Sequence, residues 1–118
     1  MTVRRILILE DEALVALDLE GTVTELGWEV AASLSSVRQA LTWLDSHAEP
    51  DAALLDVNLG GELVFPVAEA LQTRSTPFAF CTGYADMVSH SPFADRPTLV
   101  KPHDPDRLKQ VLDGLAAG

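Results

Sequence analysis

Short, unbroken apolar runs alternate along the chain with longer stretches in which apolar residues recur every three or four positions. The first run, Ile6 to Leu9, has the pattern of a strand covered on both faces, as in a parallel sheet. From Ala13, the residues Val15, Leu19, Val23 and Leu26 fall at helical spacing among Asp18, Glu20, Thr24 and Glu25, and Gly27 supplies the stop. Trp28 to Ala32 reads as a second strand. Ser36 followed by Gln39 is a capping-box pattern, and it opens a helix whose apolar stripe is Val37, Ala40, Leu41 and Leu44. After Pro50, a third strand runs to Asp56, just before Gly60 and Gly61, which let the backbone bend sharply. Val64, Val67, Ala68 and Leu71 predict a third helix, with Pro66 tolerable because it lies in the first turn. Pro77 introduces a fourth strand ending at Thr82. A brief fifth strand, Thr98 to Val100, runs into Lys101 and Pro102. Asp104 as N-cap, Pro105 at the first helical position, and Leu108, Val111, Leu112 and Leu115 mark a final amphipathic helix. The stretch from Gly83 to Pro97 is the least regular, so a fourth helix there is expected to be short or mobile.

Five strand-then-helix units predict a parallel sheet with helices on both faces and right-handed crossovers. At 118 residues, 47% of them hydrophobic, the chain has the size of one domain with one real core, expected over residues 1–118. Eighteen acids against eight bases, a formal net of −10, argue against direct nucleic-acid binding, because phosphates demand a basic face. No stretch approaches the ~20 apolar residues of a membrane span. The opening arginines and Ile6–Leu9 superficially suggest a signal peptide, but the run is too short and ends in acids, so a cytoplasmic location is expected. The single cysteine, Cys81, excludes an internal disulfide and a cysteine metal cluster, and reads as a buried, inert thiol.

In open sheets of this kind a site lies outside the carboxyl ends of the strands, at the switch point in strand order. Strand one ends at Glu10 and Asp11, strand three at Asp56, strand four at Thr82 and strand five at Lys101. Two carboxylates about 4 Å apart repel by roughly 4 kcal/mol at an effective dielectric near 20, so the cluster needs a counter-charge or open water. Three carboxylates and a backbone carbonyl just past Asp56 make an oxygen-rich cavity suited to Mg²⁺. Asp56 can then act as a nucleophile on a phosphoryl group, while Lys101 and the Thr82 hydroxyl hold its equatorial oxygens and Gly83 leaves it room. Lys101 followed by Pro102 suggests a rigid peptide, with cis as a minority alternative.

With these residues at four strand ends, the chain resembles the receiver domain of two-component response regulators: Glu10-Asp11, Leu54-Leu55-Asp56, Cys81-Thr82-Gly83 and Lys101-Pro102 stand in the family's order with similar spacing. The resemblance covers essentially the whole chain. It implies a flavodoxin-like (βα)5 fold with strand order 2-1-3-4-5. It also implies Asp56 as phosphoacceptor, Thr82 and Lys101 as readers of the phosphoryl group, and Glu10, Asp11, Asp56 and the backbone carbonyl of Asn58 as the Mg²⁺ site, directly or through water. The implied partners are a sensor histidine kinase or histidine phosphotransfer protein and a downstream protein. Output would come by protein contact or by acting as a phosphate sink or shuttle, and the chain would not be a conventional enzyme. Pro77 to Tyr84, with Val57 to Glu62 and Pro66 to Leu71, is similar to the subgroup bearing an F-A-T-G motif, commonly paired with HWE or HisKA2 kinases. The chain departs from the usual pattern at Thr98, where most receivers carry Tyr or Phe. Tyr84, two residues past Thr82, stands where it would cover a phosphorylated Asp56.

Other readings stay beside this one. A small phosphohydrolase with an aspartyl nucleophile would place D-x-D after its first strand, and a receiver-like module that is never phosphorylated would not need Asp56, Thr82 and Lys101. A flavin domain would need Gly, Ser or Thr rather than acids after strand one. Glu12 is expected to favour the start of the first helix through its dipole. Glu62, Asp86 and Asp95 read as solvated loop charges, and His47, His90 and His103 as surface histidines. Leu14 and Leu17 fall beside the buried stripe of the first helix, where either core-edge packing or a docking helix would use them.

Overall fold

A computed structural model describes residues 3–47 and 49–117. The expected domain limits, residues 1 and 118, lie outside the described residues. In chain order the elements are β1 (Arg5–Leu9), α1 (Ala13–Glu25), β2 (Glu29–Leu34), α2 (Val37–Ser46), β3 (Ala52–Leu55), β4 (Asn58–Leu59) and β5 (Glu62–Leu63). These are followed by α3 (Phe65–Thr73), β6 (Phe78–Thr82), α4 (Ala85–Ser89), β7 (Thr98–Val100) and α5 (Pro105–Ala117). Five strands pair in parallel in the order β2-β1-β3-β6-β7, the doubly wound arrangement expected from the apolar runs.

The two-residue period of a strand explains why those runs are apolar throughout. Ile6 and Ile8 of β1, Leu54 of β3 and Cys81 of β6 face one core, where Leu19 and Val23 of α1 and Leu108 and Leu112 of α5 cover them. Leu7 and Leu9, Leu55 and Phe80 face the other core, beneath α2 and α3. Every central strand position must therefore be apolar, and the chain turns polar only where a strand ends.

Local signals account for most boundaries. Gly27, at φ +93°, follows the last turn of α1. The N–H groups of Gly27 and Trp28 donate to the carbonyls of Thr24 and Val23, both at 3.0 Å. This is the Schellman ending that glycine permits. Within α1 the buried residues are Ala16, Leu19 and Val23, while Val15 and Leu26 are only half-buried. Glu12 stands at the N-cap rather than inside the first turn. The Ser36 hydroxyl accepts from the Gln39 N–H at 3.1 Å, but the Gln39 amide oxygen reaches back to the Ser35 N–H at 2.9 Å, one residue earlier than in a capping box. Pro66 sits in the first turn of α3, and the Asp104 carboxylate accepts from the Asp106 N–H at the start of α5.

Two features go beyond the sequence reading. Strands β4 and β5 form an antiparallel hairpin turned by Gly60 (φ +61°) and Gly61 (φ +96°), so Glu62 belongs to a strand rather than a loop. Asp86 likewise lies in the first turn of α4. The five-residue α4 is short, as expected, yet the irregular segment after it is anchored. Phe93 is buried with its ring 6.0 Å from Phe65, 5.9 Å from Phe78 and 6.4 Å from Phe80. Phe93→Ala is therefore expected to lower stability by about 3–5 kcal/mol in urea unfolding, a core-sized loss from a loop residue.

Candidate functional site

The carboxyl ends of β1, β3, β6 and β7 converge beside the switch point, where β2 lies on one side of β1 and β3 on the other. Glu10 and Asp11 follow β1, Asp56 follows β3, Thr82 ends β6 and Lys101 follows β7. One carboxylate oxygen from each of Glu10, Asp11 and Asp56 lies within 4.8 Å of the others, so the three could share a cation. An open cavity of about 520 Å³ is lined by two of them, Asp11 and Asp56, together with Asn58, Lys101, Gly61 and Tyr84.

Lys101 organises the acids. Its Nζ donates to Glu10 Oε1 and, at 2.9 Å, to Asp56 Oδ2. The Glu12 N–H donates to the other Glu10 oxygen at 3.0 Å, so both oxygens of this buried carboxylate are engaged. Burial pushes the Glu10 carboxyl above its ordinary range, against the opposing pull of Lys101. For Lys101, burial lowers the pKa, but the hydrogen bonds to Glu10 and Asp56 outweigh it and hold the ammonium above its ordinary range. The ammonium therefore stays charged at neutral pH. The Lys101–Pro102 peptide is cis.

Asp11 is exposed and is held from elsewhere: its Oδ2 accepts the Gly60 N–H at 3.0 Å. Asn58 follows Asp56 closely, its N–H directed at Asp56 Oδ1 at 3.4 Å. Thr82 is fully buried, and its hydroxyl oxygen accepts the Tyr84 N–H at 2.9 Å, which leaves its own proton to donate. Behind it, burial pushes the Cys81 thiol up to about 11, so it is inert at neutral pH, as expected.

No protein-family model matches the chain. It is 30% identical over 110 residues to the phyllosphere-induced regulator PhyR of Methylorubrum extorquens, an alignment that takes in 91% of this chain and 41% of PhyR. Among solved structures, SdrG from Sphingomonas melonis Fr1 is 43% identical with a TM-score of 0.84, covering 98% of each chain. SdrG from Pseudomonas melonis Fr1 in its BeF3-activated conformation is 41% identical at a TM-score of 0.80, over 98% of this chain and 99% of that one. The receiver (REC) domain of the response regulator PhyR from Erythrobacter litoralis superposes with a TM-score of 0.85 at 25% identity, over 98% of this chain and 91% of that one.

The chain belongs to the response-regulator receiver family. It spans less than half the length of M. extorquens PhyR, and the match falls on a receiver fold. Receiver membership supports a phosphorylation-dependent signalling switch, and its receiver-domain relatives are signalling regulators rather than conventional enzymes. Among the described residues, no helix is long and apolar enough to cross a membrane.

All the residues singled out at the strand ends meet in this one place. Three groups that the sequence reading missed complete it: the Glu12 N–H on Glu10, the Gly60 N–H on Asp11, and the Tyr84 N–H on Thr82. Only the second had a signal, since paired glycines between Leu59 and Glu62 match a tight hairpin turn. Two of the three histidines lie at the surface as expected, His47 stacked on Trp43 and His90 against the Asp86 carbonyl at the end of α4. The His103 side chain departs from that reading: it is largely buried, 3.5 Å from the Asp18 carboxylate.

Proposed function

We propose that the chain takes a phosphoryl group onto Asp56 from a partner's phosphohistidine and so changes its contacts with a downstream protein. The observation that carries this reading is the cluster of Asp56, Lys101 and Asp11 lining an open cavity, with Thr82 ending the strand beside it. An Asp56 carboxylate oxygen forms a bond to phosphorus as the P–N bond of the donor breaks, its electron pair returning to the imidazole nitrogen. The Lys101 ammonium, already on Asp56, follows the charge that passes to the phosphoryl oxygens, and the Thr82 hydroxyl donates its free proton to one of them.

The donor set is all oxygen, which fits Mg²⁺. Asp11, Asp56 and the Asn58 carbonyl would hold the ion, and Glu10, with both oxygens occupied, would act through water. Bound there, Mg²⁺ would supply positive charge to the phosphoryl oxygens. The test is incubation with Mg²⁺ and a small acyl phosphate, read by intact mass. One added phosphoryl group is expected in the wild type, none in Asp56→Asn, and none with chelator. Absence of the gain from both a small donor and a histidine kinase would make the chain an inert binding module. Steady hydrolysis of a phosphomonoester would make it a phosphohydrolase.

The donor surface is read from α1. Leu14 and Leu17 are 82% and 63% exposed, and Leu14 borders a groove with Val15, Pro102 and His103 beside Lys101. Apolar side chains at this level of exposure next to a phosphoacceptor suit a docking helix better than core-edge packing. A histidine kinase or phosphotransfer protein is the partner proposed, and the Phe80–Gly83 motif favours the HWE or HisKA2 class. Leu14→Asp is expected to slow phosphotransfer from such a donor at least tenfold while leaving acyl-phosphate labelling unchanged; equal slowing of both would remove the docking role.

Tyr84 lies 49% exposed at the cavity mouth, positioned to close over Asp56 once a phosphoryl group is present. Tyr84→Ala is expected to shorten the lifetime of the phosphorylated protein severalfold. An unchanged lifetime would rule out shielding.

A further inference from the structure

We infer that the backbone N–H of Gly60, at the tip of the β4–β5 hairpin, is a positioning group for Asp11 and sets the affinity of the carboxylate cluster for a divalent cation. The inference rests on the reading of Asp11 as a metal-holding residue, and it assigns the hairpin a task in that site.

The three carboxylates are held in different ways. Glu10 and Asp56 are buried and share Lys101, whereas Asp11 is exposed, and the Gly60 N–H on its Oδ2 is its one hydrogen bond among the described residues. An exposed carboxylate without that bond would lose rotamer freedom on capturing an ion. Tied through one oxygen, it has given up much of that freedom beforehand and keeps its second oxygen for the cation.

The donor is itself fixed. The Val64 N–H closes the base of the hairpin on the Val57 carbonyl at 2.8 Å, and Val57, Leu59 and Val64 are buried in the core beneath α2 and α3. At the tip, the Gly61 N–H donates to Asn58 Oδ1 at 2.8 Å. The same hairpin therefore orders both Asp11 and the residue whose carbonyl is proposed as a ligand. Its geometry depends on the left-handed conformation of Gly60, φ +61°. An added Cβ there would meet nothing within 4 Å, so the first cost of a substitution at this position is the backbone conformation it must adopt.

This permits a clean pair of variants. Gly60→Asn tolerates the left-handed region, and Gly60→Val strongly disfavours it. Mn²⁺ binding to the metal-free chain, followed by the loss of free-ion signal in electron paramagnetic resonance, is expected to weaken about 10–100-fold in Gly60→Val and to stay within about twofold of wild type in Gly60→Asn. Amide exchange gives a second readout that needs neither metal nor a Gly60 variant. In Asp11→Ala the Gly60 amide is expected to exchange about tenfold faster or more, while the Val64 amide keeps its protection. Unchanged Gly60 exchange in Asp11→Ala, or wild-type Mn²⁺ affinity in Gly60→Val, would overturn the inference. Failure of the underlying reading looks different: wild type would bind no Mn²⁺, or Asp11→Ala would bind it as well as wild type.

Discussion

Glu10 and Asp56 project from neighbouring strands with side chains that are 0% and 5% exposed, and one ammonium, that of Lys101, touches both. Without it, two like charges would face each other in a half-dry pocket, and the ~4 kcal/mol repulsion expected at an effective dielectric near 20 would be added to the cost of removing each from water. Lys101 comes from 91 and 45 positions away in sequence, so the pairing exists only once β7 has joined the sheet beside β6. The fold and the charge balance of the site are thus one constraint. A positive charge is required at the acidic edge, and the Lys101 ammonium supplies one.

The rest of the architecture makes that convergence possible. Because both faces of the sheet are covered, β1, β3 and β6 cannot carry a polar residue until they end, and each then does so at the same edge. Parallel pairing puts all carboxyl ends on one side, which an antiparallel sheet would not. The register of Phe80 with Thr98 and Thr82 with Val100 fixes how far β7 advances before Lys101 turns inward. The Lys101 N–H continues the ladder onto the Thr82 carbonyl at 3.0 Å, so the main chain of the lysine is set by the sheet and its side chain by the acids.

Much of this was legible because it rests on periodicity and on strand ends. Gly27, Ser36, Pro66 and Asp104 each have a local conformational reason to stand where they do, and their boundaries came out close to the observed ones. What was not legible depends on groups with little or no sequence signature. The N–H groups of Glu12 and Tyr84 that hold Glu10 and Thr82 belong to the backbone, which every residue has, and the paired glycines announce a turn at Gly60 without announcing its bond to Asp11. The burial of Phe93 was hidden by its setting among Ser91, Pro92 and Ala94, since a loop residue that reaches a core has no period to betray it. His103 was misread for the same reason: a histidine beside a loop proline looks solvated until α1 brings Asp18 against it.

Thr98 shows how the local chemistry redistributes roles when a familiar residue is absent. In place of the aromatic that the receiver pattern leads one to expect, its half-buried hydroxyl donates to the Arg96 carbonyl at 3.3 Å, a bond confined to its own turn. Across the ladder from Thr82 stands Val100, which is exposed and has no polar group to offer a neighbour. The chain's single tyrosine is instead tied to the site through its main chain, because the Tyr84 N–H rests on the Thr82 hydroxyl. The aromatic group near this site therefore follows Thr82 by a backbone hydrogen bond two residues long, not by side-chain packing across a strand. Any rotation of that hydroxyl must either carry the start of the β6–α4 connection with it or leave the Tyr84 N–H to find another acceptor.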